Sequence, residues 1–217
     1  MIISVLCTDP AHPVNRSLQE WAEKIALGGD SISILRDRTE LIGGDILFLV
    51  SCHQIIPKSV RDAYTATLVL HASDLPKGRG WSPYIWAILD GEREITVSLL
   101  EAADSVDSGA IWFKTTIFFE GHELLPEINQ KLFEAEIALM NRAVKEFEAV
   151  VPLAQVGDPG HHLRKRSPED SRLDVNKSIA EQFELLRVVD SQRYPAYFDY
   201  RGSRYKIKIE KYEDNAT

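Results

Sequence analysis

The chain has 217 residues, 44% of them hydrophobic and 27% charged, with a formal net charge of −8. That length allows one full domain with a substantial core, and the acidic balance argues against a nucleic-acid or anionic-membrane surface, which needs a basic face. The two cysteines, Cys7 and Cys52, stand in apolar strand contexts and read as buried thiols of a reducing compartment rather than a disulfide. No apolar run approaches the ~20 residues of a spanning helix, and the N-terminus carries no basic, signal-like region, so the expected location is cytoplasmic.

Residues 2–7, IISVLC, are a short β-rich run without polar alternation and predict a buried parallel strand. Leu18, Trp21, Ala22, Ile25 and Ala26 follow at helical period and stop at Gly28-Gly29. ISIL (32–35), GGDILFLVSC (43–52) and TLVL (67–70) predict three more strands, the second central in its sheet. A short helix is expected after Pro57, and another where Ser82-Pro83 opens YIWAIL. ITVSLL (95–100) and AIWFKTTIFF (110–119) are two further strands, and 124–150 carries the longest helical stripe, through Ile128, Leu132, Ala135, Leu139, Ala143 and Phe147. The alternation predicts an α/β class: a Rossmann-like, open, mostly parallel sheet with helices on both faces. VPLAQVGDPGHH (151–162) reads as a linker. It divides a catalytic domain, 1–150, from a C-terminal extension, 151–217, that packs on it. The extension predicts a short helix at 178–189 and a hairpin at 196–212 turned at Arg201-Gly202.

Two stretches carry the chemistry. VLHASDLPKGRGWSP (69–83) leaves a strand at His71 and opens into a glycine-bearing loop; EAADSVDSGAIW (101–112) leaves another strand through an acidic loop containing Asp107. Strand ends of open α/β sheets are where such folds keep their sites. A histidine and a carboxylate brought together serve proton transfer, the ring taking the proton and the carboxylate orienting it. Taken alone, His71 is equally a satisfied structural residue, and the paired histidines His161-His162 lack convergent ligands, so no metal site is expected. Gly78 and Gly80 do not form a dinucleotide fingerprint.

HASDLPKGRGWSP followed by SVDSGAIW resembles the motif pair of the formyltransferase family, which uses 10-formyltetrahydrofolate as formyl donor. The resemblance implies that His71 and Asp107 are catalytic. It implies a folate pocket formed by Cys52, Gln54, Ile55, Ile56, Leu100, Ala103 and Asp104. Ser73, Lys77, Arg79, Arg164 and Arg166 are the substrate-binding candidates; Arg164, Lys165 and Arg166 are the cations expected to meet a diphosphate or to form a solvated loop, while Tyr194, Tyr197 and Phe198 either stack on the acceptor or pack the hairpin. The family's asparagine two positions before the histidine is Val69 here. Losing an oxyanion donor costs ~3–4 kcal/mol in the transition state, so a backbone N–H, His71 as imidazolium, or Gln54 has to replace it, or activity is weak. The acidic charge and short tail resemble the sugar N-formyltransferases of bacterial surface-sugar pathways, implying a nucleotide-linked amino sugar as partner and neither nucleic acid nor membrane. A formyltransferase for methionyl-tRNA or glycinamide ribonucleotide, and a non-catalytic folate- or nucleotide-binding relative, stay open, as does a homodimer through 124–150 or the tail.

Overall fold

The computed structural model describes residues 1–212. Six strands form one sheet in the order β2-β1-β3-β4-β5-β6. They are β1 (Ile2–Leu6), β2 (Ser31–Leu35), β3 (Gly44–Leu49), β4 (Tyr64–His71), β5 (Glu94–Glu101) and β6 (Ile111–Phe118). The first four run parallel, and β5 is antiparallel to both of its neighbours. The chain passes from β4 to β5 through α3 (Pro83–Leu89), and the antiparallel register sets His71 opposite Ser98 and Glu101, the end of β5, opposite Leu68.

Both faces of the sheet are apolar, which is why the strands show no polar alternation. Ile3 and Val5 of β1, Ile46 and Phe48 of β3, and Leu68 of β4 face the main core, where α1 (Asn15–Leu27) and α4 (Leu125–Lys145) pack. The alternate residues Leu6, Leu47, Leu49 and Val69 face a smaller core closed by Val60 of the one-turn α2 (Lys58–Arg61) and by loop residues. Helices thus cover both faces, with the mass on one. Strand β4 begins three residues before its predicted start and ends at His71.

The long helix ends at Lys145 rather than 150. Phe147 and Val150 still pack on the core, from a turn past the helix end. The helix expected over 178–189 contracts to a 3-10 turn, Ala180–Gln182, and α5 (Phe183–Arg187). The hairpin forms as expected, β7 (Ala196–Tyr200) with β8 (Ser203–Ile207), turned at Arg201-Gly202; the last residues of its predicted span run past β8 as irregular chain. Tyr197 is buried, donates to Glu169 at 2.9 Å and lies under Arg204; Phe198 stacks on Tyr205. These aromatics therefore pack the hairpin. Both cysteines are free thiols, and no helix among the described residues is long and apolar enough to cross a membrane.

A buried ion pair ties the extension to the sheet domain. Arg187, with no exposed side-chain surface, donates from Nε to the Glu123 carbonyl at 2.9 Å and from Nη1 to Glu184 at 2.7 Å. Its Nη2 lies 3.4 Å from the Glu123 carboxylate. Burial alone would raise the Glu123 carboxyl, but hydrogen bonds from Lys131 and from the Glu120 and Gly121 backbones outweigh it and hold the group down at about 2. Because the folded value lies below the ordinary 4.5, this contribution to stability is present above pH 4.5 and is lost as pH falls toward 2. Arg187→Met leaves the Glu123 carbonyl without its buried donor, while Lys131 and two backbone N–H groups still hold the carboxylate, and is expected to cost about 1–3 kcal/mol in urea unfolding at pH 7. Glu123→Gln is expected to flatten the acid limb of the stability curve; an unchanged limb would contradict the assignment.

Candidate active site

His71 is the last residue of β4, and Asp107 sits in the loop between β5 and β6. β5 ends with Glu101 opposite Leu68, and the loop beyond it turns back to His71, whose Nδ1 lies 3.5 Å from Oδ1 of Asp107; both side chains are 7% exposed. The other ring nitrogen, Nε2, is 2.9 Å from the carbonyl oxygen of Gly78. A carbonyl can only accept, so Nε2 carries the proton of the neutral ring and Nδ1 presents a lone pair beside the carboxylate. The arrangement can take a proton at Nδ1 and hold the resulting cation against Asp107.

Asp107 is held by three elements. Its Oδ2 accepts the Gly80 N–H at 2.9 Å. Its backbone is in the left-handed region, φ 56°, a conformation aspartate tolerates better than most residues. Gln155 fixes that turn, donating from Nε2 to the carbonyls of Asp107 and Gly109, each at 2.9 Å, while its Oε1 accepts from Arg79 at 2.7 Å. The glycine of Asp-Ser-Gly has a steric reason: a Cβ on Gly109 would lie 1.9 Å from the carbonyl oxygen of Glu101. Gly80 has another. Its φ is +109°, and a Cβ there would lie 2.3 Å from the carbonyl oxygen of Leu163, which bridges the loop. The stretch expected to be a linker is irregular in backbone but pinned at both ends, Leu153 to Ile111 and Leu163 to Arg79 and Trp81.

A cavity of about 410 Å3 opens at this point, lined by His71, Asp107, Val69, Cys52, Gln54, Ile55, Ile56, Ala103 and Asp104, among others. Six of the seven expected folate-pocket residues meet there. Leu100 does not: it is fully buried in β5, paired with Val69 through the backbone. Arg61, which no sequence motif flagged, joins the two walls, donating to the carbonyls of Ile56 at 3.2 Å and Ala103 at 3.1 Å and pairing with Asp104. Gln54 lines the cavity with its amide committed: Nε2 donates to Asp37 at 2.6 Å and Oε1 accepts the Arg38 N–H at 2.9 Å. Trp81, Tyr84, Phe133 and Glu136 complete the wall.

None of the five expected substrate-binding residues lines this cavity. Ser73 donates to the Lys77 carbonyl at 2.8 Å, closing its own loop, and Lys77 is exposed. Arg79 is spent on Gln155. Arg164 pairs with Asp170 and lies over Trp86; Arg166 turns inward to the Asp170 carbonyl at 3.1 Å. A basic run in sequence is thus mostly structural, because Asp170 sits within reach on the next turn. Lys165 differs: its Nζ lies 5.0 Å from the centre of the Trp81 ring, beside the cavity. A larger groove of about 1060 Å3, between α1, the start of α4 and the hairpin, contains neither His71 nor Asp107.

A sequence model of the family described as formyl transferase matches residues 32–144, which span β2 to α4 and include both His71 and Asp107. The chain belongs to the formyl transferase family. It is 25% identical over 173 residues to the methionyl-tRNA formyltransferase of Rickettsia africae, a match covering 79% of this chain and 56% of that protein. The chain spans about half the length of the curated relatives it matches. Among solved structures, the methionyl-tRNA formyltransferase from Clostridium thermocellum superposes with TM-score 0.81 at 21% identity, covering 99% of this chain and 95% of that one. HypX from Aquifex aeolicus in complex with tetrahydrofolic acid gives 0.80 at 23% identity over 95% of this chain and 37% of that one. A 4-N formyltransferase from Francisella tularensis gives 0.78 at 16% identity over 98% of each chain. These structures share the fold.

Gly80→Ala is expected to destabilise the protein by about 1–3 kcal/mol and to detach the crossing segment. Tryptic cleavage after Arg164 to Arg166 is then expected to accelerate. Cleavage as slow as in the unmodified protein would show that Leu163 is not held through Gly80.

Proposed function

We propose that the chain is a 10-formyltetrahydrofolate-dependent N-formyltransferase whose acceptor is the amine of a nucleotide-linked amino sugar. The observation that carries the transfer chemistry is His71 facing Asp107 at 3.5 Å in one cavity with residues 52–56 and 103–104. The cavity volume suits a small-molecule site, and its apolar wall of Leu49, Ile56 and Val69 suits the flat ring system of a folate. The donor supplies an activated formyl carbon.

The residues of this chain then have defined roles. Nδ1 of His71 takes the proton that the acceptor nitrogen loses as it bonds to the formyl carbon, Asp107 holds the imidazolium, and the proton then goes to the folate nitrogen as its bond to that carbon breaks. Gly78 and Gly80 keep that pair aligned through a carbonyl and an N–H. Val69 offers no hydrogen bond and Gln54 is committed, so the developing oxyanion is left to backbone N–H groups or to protonated His71. Ionised Asp107 beside the ring is the orienting group, not the nucleophile.

The acceptor assignment rests on the net charge of −8, which disfavours a tRNA surface, and on likeness of fold to a sugar N-formyltransferase from Shewanella, TM-score 0.74 at 14% identity over 99% of each chain. Lys165, beside Trp81 and without an ion pair among the described residues, is the cation we assign to a diphosphate. We also propose that residues 1–150 are the catalytic domain and 151–217 an extension that completes its site, since Gln155 and Leu163 brace the Asp107 and Gly80 loops. Val69 favours one other reading, a relative that binds folate without transferring the formyl group.

Incubation with 10-formyltetrahydrofolate and dTDP-, UDP- and GDP-linked amino sugars is expected to add one formyl mass to one of them. Methionyl-tRNA and glycinamide ribonucleotide serve as competing acceptors. Folate binding without any formylated product would select the non-catalytic reading. His71→Ala and Asp107→Asn are each expected to lower turnover by ~100-fold or more with the fold intact. Near-normal rates for both would remove them from the chemistry. Val69→Asn is expected to raise turnover by less than about tenfold; a larger gain would mean that no donor had replaced the asparagine.

A further inference from the structure

β3 and β4 run parallel, and Leu49 with Val69 is the last pair of their ladder. Ser51 stands two residues beyond Leu49 and His71 two beyond Val69, so hydroxyl and imidazole leave neighbouring strands at the same level. Both line the cavity that Asp107 also lines. The Ser51 backbone is in the left-handed region, φ 47°, where glycine sits more easily. Thr8 holds the turn, its hydroxyl donating to the Ser51 carbonyl at 3.5 Å and accepting the His53 N–H at 3.0 Å. Backbone strain in a site wall points to a side chain kept for function.

The partner of that side chain is His12, whose Nε2 is 3.3 Å from Ser51 Oγ. Nδ1 of His12 accepts the Val14 N–H at 3.3 Å, so the proton of the neutral ring is on Nε2. Desolvation, with Arg193 nearby, holds His12 down at about 4 and keeps the ring neutral at working pH. His12 therefore donates to Oγ, and the Ser51 hydroxyl hydrogen has no acceptor among the described residues. The other hydroxyl of this kind in the wall, Ser82, is exposed and caps no helix N–H.

The reacting carbon lacks such a donor. Val69 has none and Gln54 is committed, while protonated His71 would direct Nε2–H to Gly78 and Nδ1–H to Asp107. We propose that Ser51 is a catalytic residue, its hydroxyl donating a hydrogen bond to the formyl oxygen as the acceptor nitrogen attacks, and that His12 positions it. The inference rests on the transfer reading above. The nitrogen–carbon bond forms as the carbonyl pair moves onto oxygen. The pair returns when the folate nitrogen leaves with the proton that His71 took up. Ser51 lends a hydrogen bond throughout and gives up no proton.

The test measures kcat and both KM values of the full chain with the best acceptor of the sugar-nucleotide panel. Ser51→Gly keeps the left-handed turn without strain, so it is expected to melt no lower than wild type and to bind 5-formyltetrahydrofolate as well. Its kcat is expected to fall about 100-fold, with both KM values within about twofold of wild type. His12→Ala is expected to lower kcat about tenfold and to add nothing in the Ser51→Gly background. His12→Gln, which restores an N–H donor, is expected to recover most of that loss. A fall of less than about tenfold in kcat for Ser51→Gly, a loss confined to KM, or a fully additive His12→Ala would overturn the proposal. If wild type formylates no acceptor, the acceptor reading fails by itself. The same variants are then compared in hydrolysis of 10-formyltetrahydrofolate to formate and tetrahydrofolate, where water replaces the amine at the same carbon. Ser51→Gly is expected to slow that reaction as much; an equal rate, or no hydrolysis by wild type, would overturn the proposal.

Discussion

The site depends on the carboxylate of Asp107, which accepts the Gly80 N–H and faces His71 at the same time. This contact joins two loops that leave different strands, and neither loop has regular structure to hold it. The β4–β5 pairing sets their spacing: β5 ends opposite Leu68, three residues before His71, and the acidic loop turns back from there until Asp107 faces the ring. The final alignment comes from farther along the chain. Gln155 bonds to both sides of the Asp107 turn and to Arg79, and Leu163 runs beside Gly80. The segment 153–163 therefore braces the His71–Asp107 pair, and the Glu123–Arg187 contact ties the chain beyond it to the loop before α4.

The same economy explains why the expected cations are absent from the cavity. Arg79, Arg164 and Arg166 each satisfy a neighbour within the loops that cross near the site. Buried guanidinium groups organise irregular backbone well, since a planar fork reaches several carbonyls and carboxylates at once. Arg61 does this between the two cavity walls. Other groups at the cavity carry no such duty among the described residues: Lys165 lies against Trp81 at the rim, and Oε2 of Glu136 has no hydrogen-bond partner.

Much of the fold was legible in the sequence because the central strands are continuous apolar runs and α1 and α4 keep the helical period over several turns. His71 and Asp107 were legible as strand-end residues in a motif pair, and six residues named from the resemblance line the cavity beside them. Leu100, expected from the same resemblance, is buried in β5 beside a bulge between Leu99 and Leu100 and does not line the cavity. Gln155 and Glu136 were missed for different reasons. Gln155 lies in a stretch whose glycines and prolines look like a linker, and a single amide gives no periodic signal. Glu136 did carry a signal, a charge inside an apolar stripe, but Ala135 beside it offers a substitute apolar position in the pattern. The short helix at 183–187 and the early end of α4 were set by tertiary packing of Phe147, Val150 and Arg187, which periodicity does not register.

Amide hydrogen exchange with and without 5-formyltetrahydrofolate, a non-reactive probe of the donor site, tests the central claim most directly. The account expects added protection in the backbone of 52–56 and 101–107, with the groove between α1, the start of α4 and the hairpin unaffected. Protection confined to that groove, at 124–130 and 207–211, would place the folate away from His71 and Asp107 and contradict the account.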